Sequence, residues 1–418
     1  MQSTFAHISL QKNDAHEARM REYTAHIARV IKNHDYTSPE SSLAISADKT
    51  YQNHIRTTLR RFSGVRHVVL VGIGGSSLGT EAVYHALKTN KSPSLTVIDT
   101  LDEESISAFR DRLATISKIK DIVIVVISKS GSTTETIVNA TCVLQIFEKK
   151  FGEKARSQVV FVGDEESALV SLRHEKGICT FSLPTSIGGR YSVFTAVGMV
   201  PLTLLKIDAE GFLRGAQSAC TKKNFATIGK RAFVLARMAE QGIHTINFFT
   251  FSKRLRIVGA WYRQLLAESI GRRTTQNGKK FSKHLNPTIT TDADLHSVAE
   301  LYLGGYKGVY TRFVFAPESG TTIVPKKHWL LKHLSHLEGK RTTEVKDAIR
   351  TGVLKAYDEQ SLPYEKIELA SVHAEEVGEL LASLMCEMMV LAHHLNINPF
   401  IQPSVESYKS HTRSALTK

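Results

Sequence analysis

Two short turns constrain the fold of this chain more than any other feature. The β-rich run 67–71 ends in Gly72-Ile73-Gly74-Gly75-Ser76-Ser77-Leu78-Gly79, and the wholly apolar run 122–127 ends in Ser128-Lys129-Ser130-Gly131-Ser132-Thr133-Thr134. Each turn leads into a helical stretch, the first running to residue 87 and the second covering 135–147. A short strand, a small-residue turn and a helix form the unit of a parallel sheet, whose strands are buried on both faces and need crossover connections. Further strand-like runs at 95–99 and 159–162, with a polar helix at 103–113, continue the alternation. The expected architecture is therefore a doubly wound α/β sheet that binds ligands outside the carboxyl ends of its strands.

The rest of the chain extends this plan. Ala15, Met20, Tyr23, Ile27, Val30 and Ile31 recur at helical spacing, which predicts a helical N-terminal arm over 1–55. A first α/β domain follows over 56–215, closing on an apolar helix at 196–205 and then a linker. A second, over 216–395, is expected from strand-like runs at 244–250 and 309–315, helices at 258–269 and 295–303, and a long apolar helix at 372–395. Residues 396–418 read as a Pro-bearing loop and a short basic tail. The length of 418 residues suits this plan, at roughly 150 residues per domain with additional arms.

Composition removes several classes of function. Hydrophobic residues make up 42% and charged residues 22%, close to globular values of about 45–50% and about 25%. No apolar run approaches the roughly 18 residues of a membrane span, and the N-terminus lacks the apolar core of a signal peptide. The expectation is a cytoplasmic protein with no membrane partner. Cys142, Cys179, Cys220 and Cys386 form no Cys-x-x-Cys pair and read as buried thiols. Lys plus Arg is 54 against 40 Asp plus Glu, a net charge of +14, which favours an anionic partner. The basic residues are scattered and no finger, basic zipper or RNA signature accompanies them, so a phosphorylated small molecule fits and nucleic acid is not expected.

The turn 72–79 admits several readings. A dinucleotide-binding G-x-G-x-x-G lacks its third glycine, where Ser77 stands, although Asp99 lies where a ribose-binding acid belongs. A nucleoside triphosphate loop fails because Thr80, not lysine, follows Gly79. A turn that cradles a small anion or sugar through backbone N–H groups remains, as does a tight turn that binds nothing. The turn 128–134 weighs toward the anion: five of its seven residues carry hydroxyls and one is Lys129. At the carboxyl end of a buried strand, feeding a helix dipole, it makes a phosphate site. A dinucleotide fold has no need of this second turn.

With these turns, six blocks resemble the glucose-6-phosphate isomerase family, whose halves are sugar isomerase (SIS) domains. They are VGIGGSSLG, SKSGSTTET, IGGRYSVFTAVG, WYRQLLAES, TTDADLHS and PFIQPSVESYK, in family order from about residue 60 onward. The resemblance implies two doubly wound SIS-type α/β domains with parallel sheets and helical terminal arms. It implies interconversion of glucose 6-phosphate and fructose 6-phosphate through a cis-enediol, a step of glycolysis and gluconeogenesis, by a homodimer without metal or cofactor.

By the same resemblance, Glu268 matches the base that moves a proton between C2 and C1, a task suited to a carboxylate in a partly desolvated site. Arg190 matches the guanidinium that stabilises the enediolate, in place of a divalent ion. His296 and Lys409 match the pair that opens the sugar ring. Gln264, one helical turn before Glu268, and Gln402 match substrate contacts. Gly75, Ser76, Ser128, Lys129, Ser130, Gly131, Ser132 and Thr133 match sugar and phosphate contacts.

Two departures stand out. Ile401 replaces the family's acid or amide and Ser404 its glycine, and TTDADLHS is spaced a residue or so away from the common form. These bear on substrate preference more than on reaction class. The alternatives are an isomerase that also takes mannose 6-phosphate and a catalytically silent SIS-domain sugar-phosphate sensor. A sensor would carry a DNA-binding helix-turn-helix and could dispense with Glu268 and His296.

Overall fold

Every residue of the run Ile122–Ile127 is apolar and β-branched, so it can be buried on both faces, and it becomes a central strand with all six residues buried. In the computed structural model, which describes residues 1–8, 14–176 and 178–417, it is β4. The other strands are β1 (Gln2–Ala6), β2 (His67–Val71), β3 (Ser94–Ile98), β5 (Val159–Asp164), β6 (Cys179–Leu183), β7 (Thr245–Thr250), β8 (Asn286–Thr291), β9 (Val309–Phe315) and β10 (Tyr364–Glu368).

The first sheet has the order β3-β2-β4-β5-β6, with every neighbouring pair parallel. From β2 the chain crosses to β3 on one side and then returns to β4 on the other. Such a reversal opens a crevice at the carboxyl ends of the two strands that flank it. The turns at 72–79 and 128–134 leave from those two ends, so topology alone makes them neighbours.

The second sheet has the order β1-β10-β9-β7-β8. Its members β10, β9, β7 and β8 are parallel, while β1 joins β10 antiparallel. The expected N-terminal arm is thus helical only in part. Helices Asp14–Asn33 and Lys49–Leu59 occupy most of it, but residues 2–6 are an edge strand. Their mixed polar composition carries no strand signal, and what orders them is the open hydrogen-bonding edge of β10.

Two other expectations are corrected. The linker after residue 205 is instead two helices, Ala209–Ala219 and Lys222–Glu240, and the boundary expected at 215/216 falls inside the first. The glycines of this stretch serve close packing. A Cβ on Gly215 would lie 1.8 Å from the Glu375 carbonyl oxygen, and one on Gly378 would lie 2.0 Å from that of Phe212. Ala209–Ala219 therefore meets the buried helix Ala374–His394 backbone to backbone. The C-terminal tail is also helical, Glu406–Leu416, and it buries none of its residues. Cys179 and Cys386 are buried as expected, whereas Cys142 and Cys220 are only partly so.

One hydrophobic cluster joins the halves: Leu70, Val125, Phe248, Tyr262 and Met388 all belong to it. No described helix is long and apolar enough to cross a membrane.

Candidate active site

The helix Arg256–Ile270 follows β7 and buries Val258, Tyr262, Leu265, Leu266 and Ser269. Gln264 and Glu268 are four residues apart and so share one face. The Gln264 amide donates to Glu268 Oε1 at 2.8 Å, which fixes the carboxylate's orientation. Glu268 is 33% exposed, enough to reach a ligand.

Its second oxygen faces a buried cation. Arg190 lies in the short helix Gly189–Tyr191 and is 2% exposed. Its Nη1 donates to Glu268 Oε2 at 3.1 Å and to Gln402 Oε1 at 2.9 Å. Its Nη2 donates to the Ile401 carbonyl at 3.0 Å and to that of Pro399, and its Nε to Ser269 Oγ at 3.3 Å. A guanidinium taken out of water is tolerable only when its donors are met in this way. The fork is thereby held rigidly beside the carboxylate.

Three residues outside the expected set complete the arrangement. Ser269 takes the Arg190 Nε bond and lies 2.7 Å from the Tyr191 hydroxyl. Arg272 is buried and donates to the carbonyls of Asn398, at 3.0 Å, and of Ile401. Burial, and then the charge of Arg190, pull the Arg272 guanidinium below its usual range. Ser269 adjoins Glu268 in sequence, so position was a signal for it, whereas Arg272 lies outside all six blocks. The departure at Ile401 has a simple resolution. Both arginines use its backbone carbonyl, and the residue is 49% exposed, so the side chain's identity matters little to the clasp.

The first turn closes on this cluster, and the second reaches the loop that leads into Arg190. Gly74 has φ of +59°, and a Cβ there would lie 3.0 Å from Gln264 Nε2. A Cβ on Gly75 would lie 2.3 Å from the Gly189 carbonyl carbon and 2.7 Å from the Arg190 nitrogen, so no other residue fits this backbone approach. Ser76 is half-buried beside them. In the second turn Ser128 Oγ donates to Thr133 Oγ1 at 3.3 Å, Ser130 and Ser132 share a 2.9 Å hydroxyl contact, and Gly131 is buried. The helix Thr134–Phe151 starts here with no side chain capping it, as does Leu78–Leu87 after the first turn. Uncapped first-turn N–H groups of helices this long are anion donors. Lys129 behaves differently from its expected role: its Nζ donates to the carbonyls of Thr185 at 2.5 Å and Ile187 at 3.0 Å.

His296 and Lys409 are not brought to the cluster. His296 is exposed at the end of the turn Asp292–His296 after β8. Asp294 organises that turn by accepting from Thr291 N at 2.7 Å and Thr291 Oγ1 at 2.8 Å. Lys409 stands on the exposed helix Glu406–Leu416 and donates to Glu406 Oε1 at 2.7 Å. Among the described residues, no hydrogen bond or ion pair joins either to Glu268 or Arg190, and no group of three or more His, Cys, Asp or Glu could hold a metal.

The chemistry on hand is a carboxylate beside a fixed cation, with one anion-capable turn against it and a second tied to the loop that carries the cation. A family model described as phosphoglucose isomerase matches residues 30–417. A glucose-6-phosphate isomerase of Leptospira biflexa is 30% identical over 368 residues, covering 84% of this chain and 80% of its own. One from Fusobacterium nucleatum is 29% identical over 397 residues, covering 90% and 86%. A crystal structure of a hypothetical protein from Thermus thermophilus shares the fold with a TM-score of 0.86 at 24% identity, covering 100% of both chains.

Proposed function

This chain belongs to the phosphoglucose isomerase family, and on that premise we propose that it interconverts glucose 6-phosphate and fructose 6-phosphate through a cis-enediol. The observation that carries the reading is the 3.1 Å contact between Glu268 Oε2 and Arg190 Nη1.

Isomerisation requires a proton to leave C2 and return to C1 on the same face of the sugar. One partly exposed carboxylate with a fixed orientation suits both transfers. As the proton leaves C2, negative charge grows on the enediolate oxygens, and the preorganised Arg190 fork meets that charge without reorganising. Gln264 holds Glu268 in place. The phosphate sits in the turn 128–133, on the hydroxyls of Ser128, Ser130, Ser132 and Thr133 and the N-terminus of Thr134–Phe151, and the sugar lies along Gly75, Ser76 and Gln402. Because Arg190 supplies the positive charge, the reaction as read here needs neither metal nor redox cofactor.

His296 and Lys409 open the ring before the proton transfer. His296 is exposed, Lys409 is half-buried, and neither bonds to Glu268, so the complete site is proposed in a homodimer, where a second copy presents the groups that one copy leaves at its surface. The enzyme so read works in the cytoplasm, on substrates of glycolysis and gluconeogenesis.

A coupled assay of fructose 6-phosphate conversion, run with and without chelator, tests the reading. Turnover that survives EDTA is the expected result. No turnover, or turnover lost to EDTA and restored by a divalent ion, overturns it.

A further inference from the structure

We propose that Lys129 is a positioning residue that straps the phosphate-binding turn to the loop carrying Arg190, rather than a ligand of the phosphate itself. The proposal rests on the reading above, in which the turn 128–133 holds the phosphate and Arg190 stabilises the enediolate.

Lys129 is fixed at both ends. Its backbone carbonyl accepts from Asp164 N at 2.8 Å, which ties the turn to the end of β5. Its ammonium reaches the other way, to the Thr185 carbonyl at 2.5 Å and the Ile187 carbonyl at 3.0 Å. Those carbonyls belong to the segment that runs directly into Gly188, Gly189 and Arg190. The segment is well anchored: Ile187 N donates to the Pro184 carbonyl at 3.0 Å, and the Ile187 side chain is fully buried. An ammonium seated on two fixed carbonyls has committed two of its three donors and points along them.

Such a lysine is poorly placed to receive a phosphate. To reach one, Nζ would have to leave both carbonyls; water can replace it at the exposed Thr185 carbonyl, but the partly buried Ile187 carbonyl would lose its charged donor at a cost. The turn does not need it, because the hydroxyls of Ser128 and Thr133 and the uncapped helix N-terminus already supply donors. Lys129 also faces Asp164, whose pKa is raised by burial and pulled back down by the lysine charge. The strap therefore keeps an acid beside the phosphate turn compensated.

The same loop is fixed from its other side by Gly75, against the Gly189–Arg190 peptide. Each substrate-facing turn thus grips the arginine loop, one by backbone contact and the other through Lys129. Loosening the second grip moves Arg190 relative to Glu268 while leaving the phosphate donors in place.

The test is steady-state kinetics of Lys129→Met, with inorganic phosphate as a competitive inhibitor and thermal melting to verify folding. A misplacement near 1 Å costs up to about 10²-fold in rate, so kcat should fall by about 10-fold or more while the Ki of inorganic phosphate stays within about 2-fold. Lys129→Arg, which keeps charged donors within reach of the carbonyls, should recover most of kcat. Should the methionine variant fail to fold, Lys129→Gln carries the same distinction, because its amide keeps two N–H donors but no charge: the strap predicts a smaller loss of kcat with phosphate inhibition unchanged. A joint rise of KM and phosphate Ki with kcat preserved makes Lys129 a phosphate ligand and overturns the proposal. So does the absence of any effect. If wild-type protein shows no turnover, or Glu268→Gln retains it, the reading of the site has failed, and that outcome is distinct from either result at Lys129.

Discussion

The two halves of the proposed machinery are held in opposite ways. Arg190 is 2% exposed and its guanidinium meets Glu268, Gln402, Ser269 and two loop carbonyls. His296 is exposed, with no side-chain hydrogen bond among the described residues, and Lys409 is half-buried and bonded to its helical neighbour Glu406. The contrast separates two demands. Proton transfer at carbon needs charges placed before the reaction begins, and a single chain can build that only by burying them with every donor met. Ring opening needs a donor and an acceptor that come to the substrate, and exposed side chains can do this. One chain therefore assembles the proposed proton-transfer pair, Glu268 and Arg190, and does not bring the proposed ring-opening pair to it.

The largest expected break in this contrast is Arg190→Met, which removes the cation and leaves Glu268, Gln402 and the loop 399–402 without their shared donor. Loss of one preorganised electrostatic group costs about 10²–10³-fold in kcat. A variant within a few-fold of wild type would mean that another cation, with Arg272 the nearest candidate, carries the enediolate.

His296→Asn sharpens the comparison from the other side. It should slow turnover of the closed-ring substrate, with a ceiling of the roughly 10²–10⁴-fold of a general acid or base. It should leave exchange of the C2 proton on open-chain substrate nearly untouched. Equal loss of both activities would put His296 in the proton-transfer centre and dissolve the distinction.

Thr133→Ala probes binding apart from chemistry. A hydrogen bond to a charged group is worth roughly 1.5–3 kcal/mol, and contacts to a non-reacting phosphate serve ground and transition states alike. KM and phosphate Ki should rise together by about tenfold or more, with kcat little changed. The smallest effect is expected from Ile401→Asn, because the arginines use that residue's carbonyl. Activity and stability should stay within about 0.5 kcal/mol of wild type, as for ordinary surface changes.

Legibility in the sequence followed the same physics of burial. Four strands of the first sheet were readable, helped by runs such as IVIVVI that are apolar throughout, whereas β6, CTFSL, alternates buried and half-buried residues and was missed. In the second sheet β7 and β9 were readable, and β1, β8 and β10 were not. In β10, YEKIE places Glu365 fully inside the protein, which no apolar pattern announces, and it is tolerable only because β9 sets Arg312 opposite it. Burial still pushes the Glu365 carboxyl above its usual range. Arg312 continues to Glu387 at 2.8 Å, and Glu387 to Arg231 at 2.5 Å, so the pairing crosses sheet and helices far apart in sequence. β8 contains Pro287 at the sheet's edge, where a missing N–H is harmless and a strand signal is weak.

At the site, Glu268, Gln264, Arg190 and Gln402 were legible through their blocks, and the structure brings these residues together. Arg272 was not, since a buried arginine and a solvated one look alike until the loop 398–401 folds over it. Nor could spacing show that the Lys129 ammonium turns away toward Thr185 and Ile187, a contact set by the packing of two loops.

The central claim, that Glu268 carries the proton between C2 and C1 through an enediol, is tested most directly by running the reaction in deuterated water. Wild-type enzyme should place solvent deuterium on the transferred position, because a carboxylate exchanges its proton with solvent during the lifetime of the intermediate. Glu268→Gln preserves shape and one hydrogen bond while removing the base, and it should lose exchange and turnover together by about 10²–10⁴-fold. Deuterium incorporation that persists undiminished in Glu268→Gln would contradict the account and assign the base to another residue.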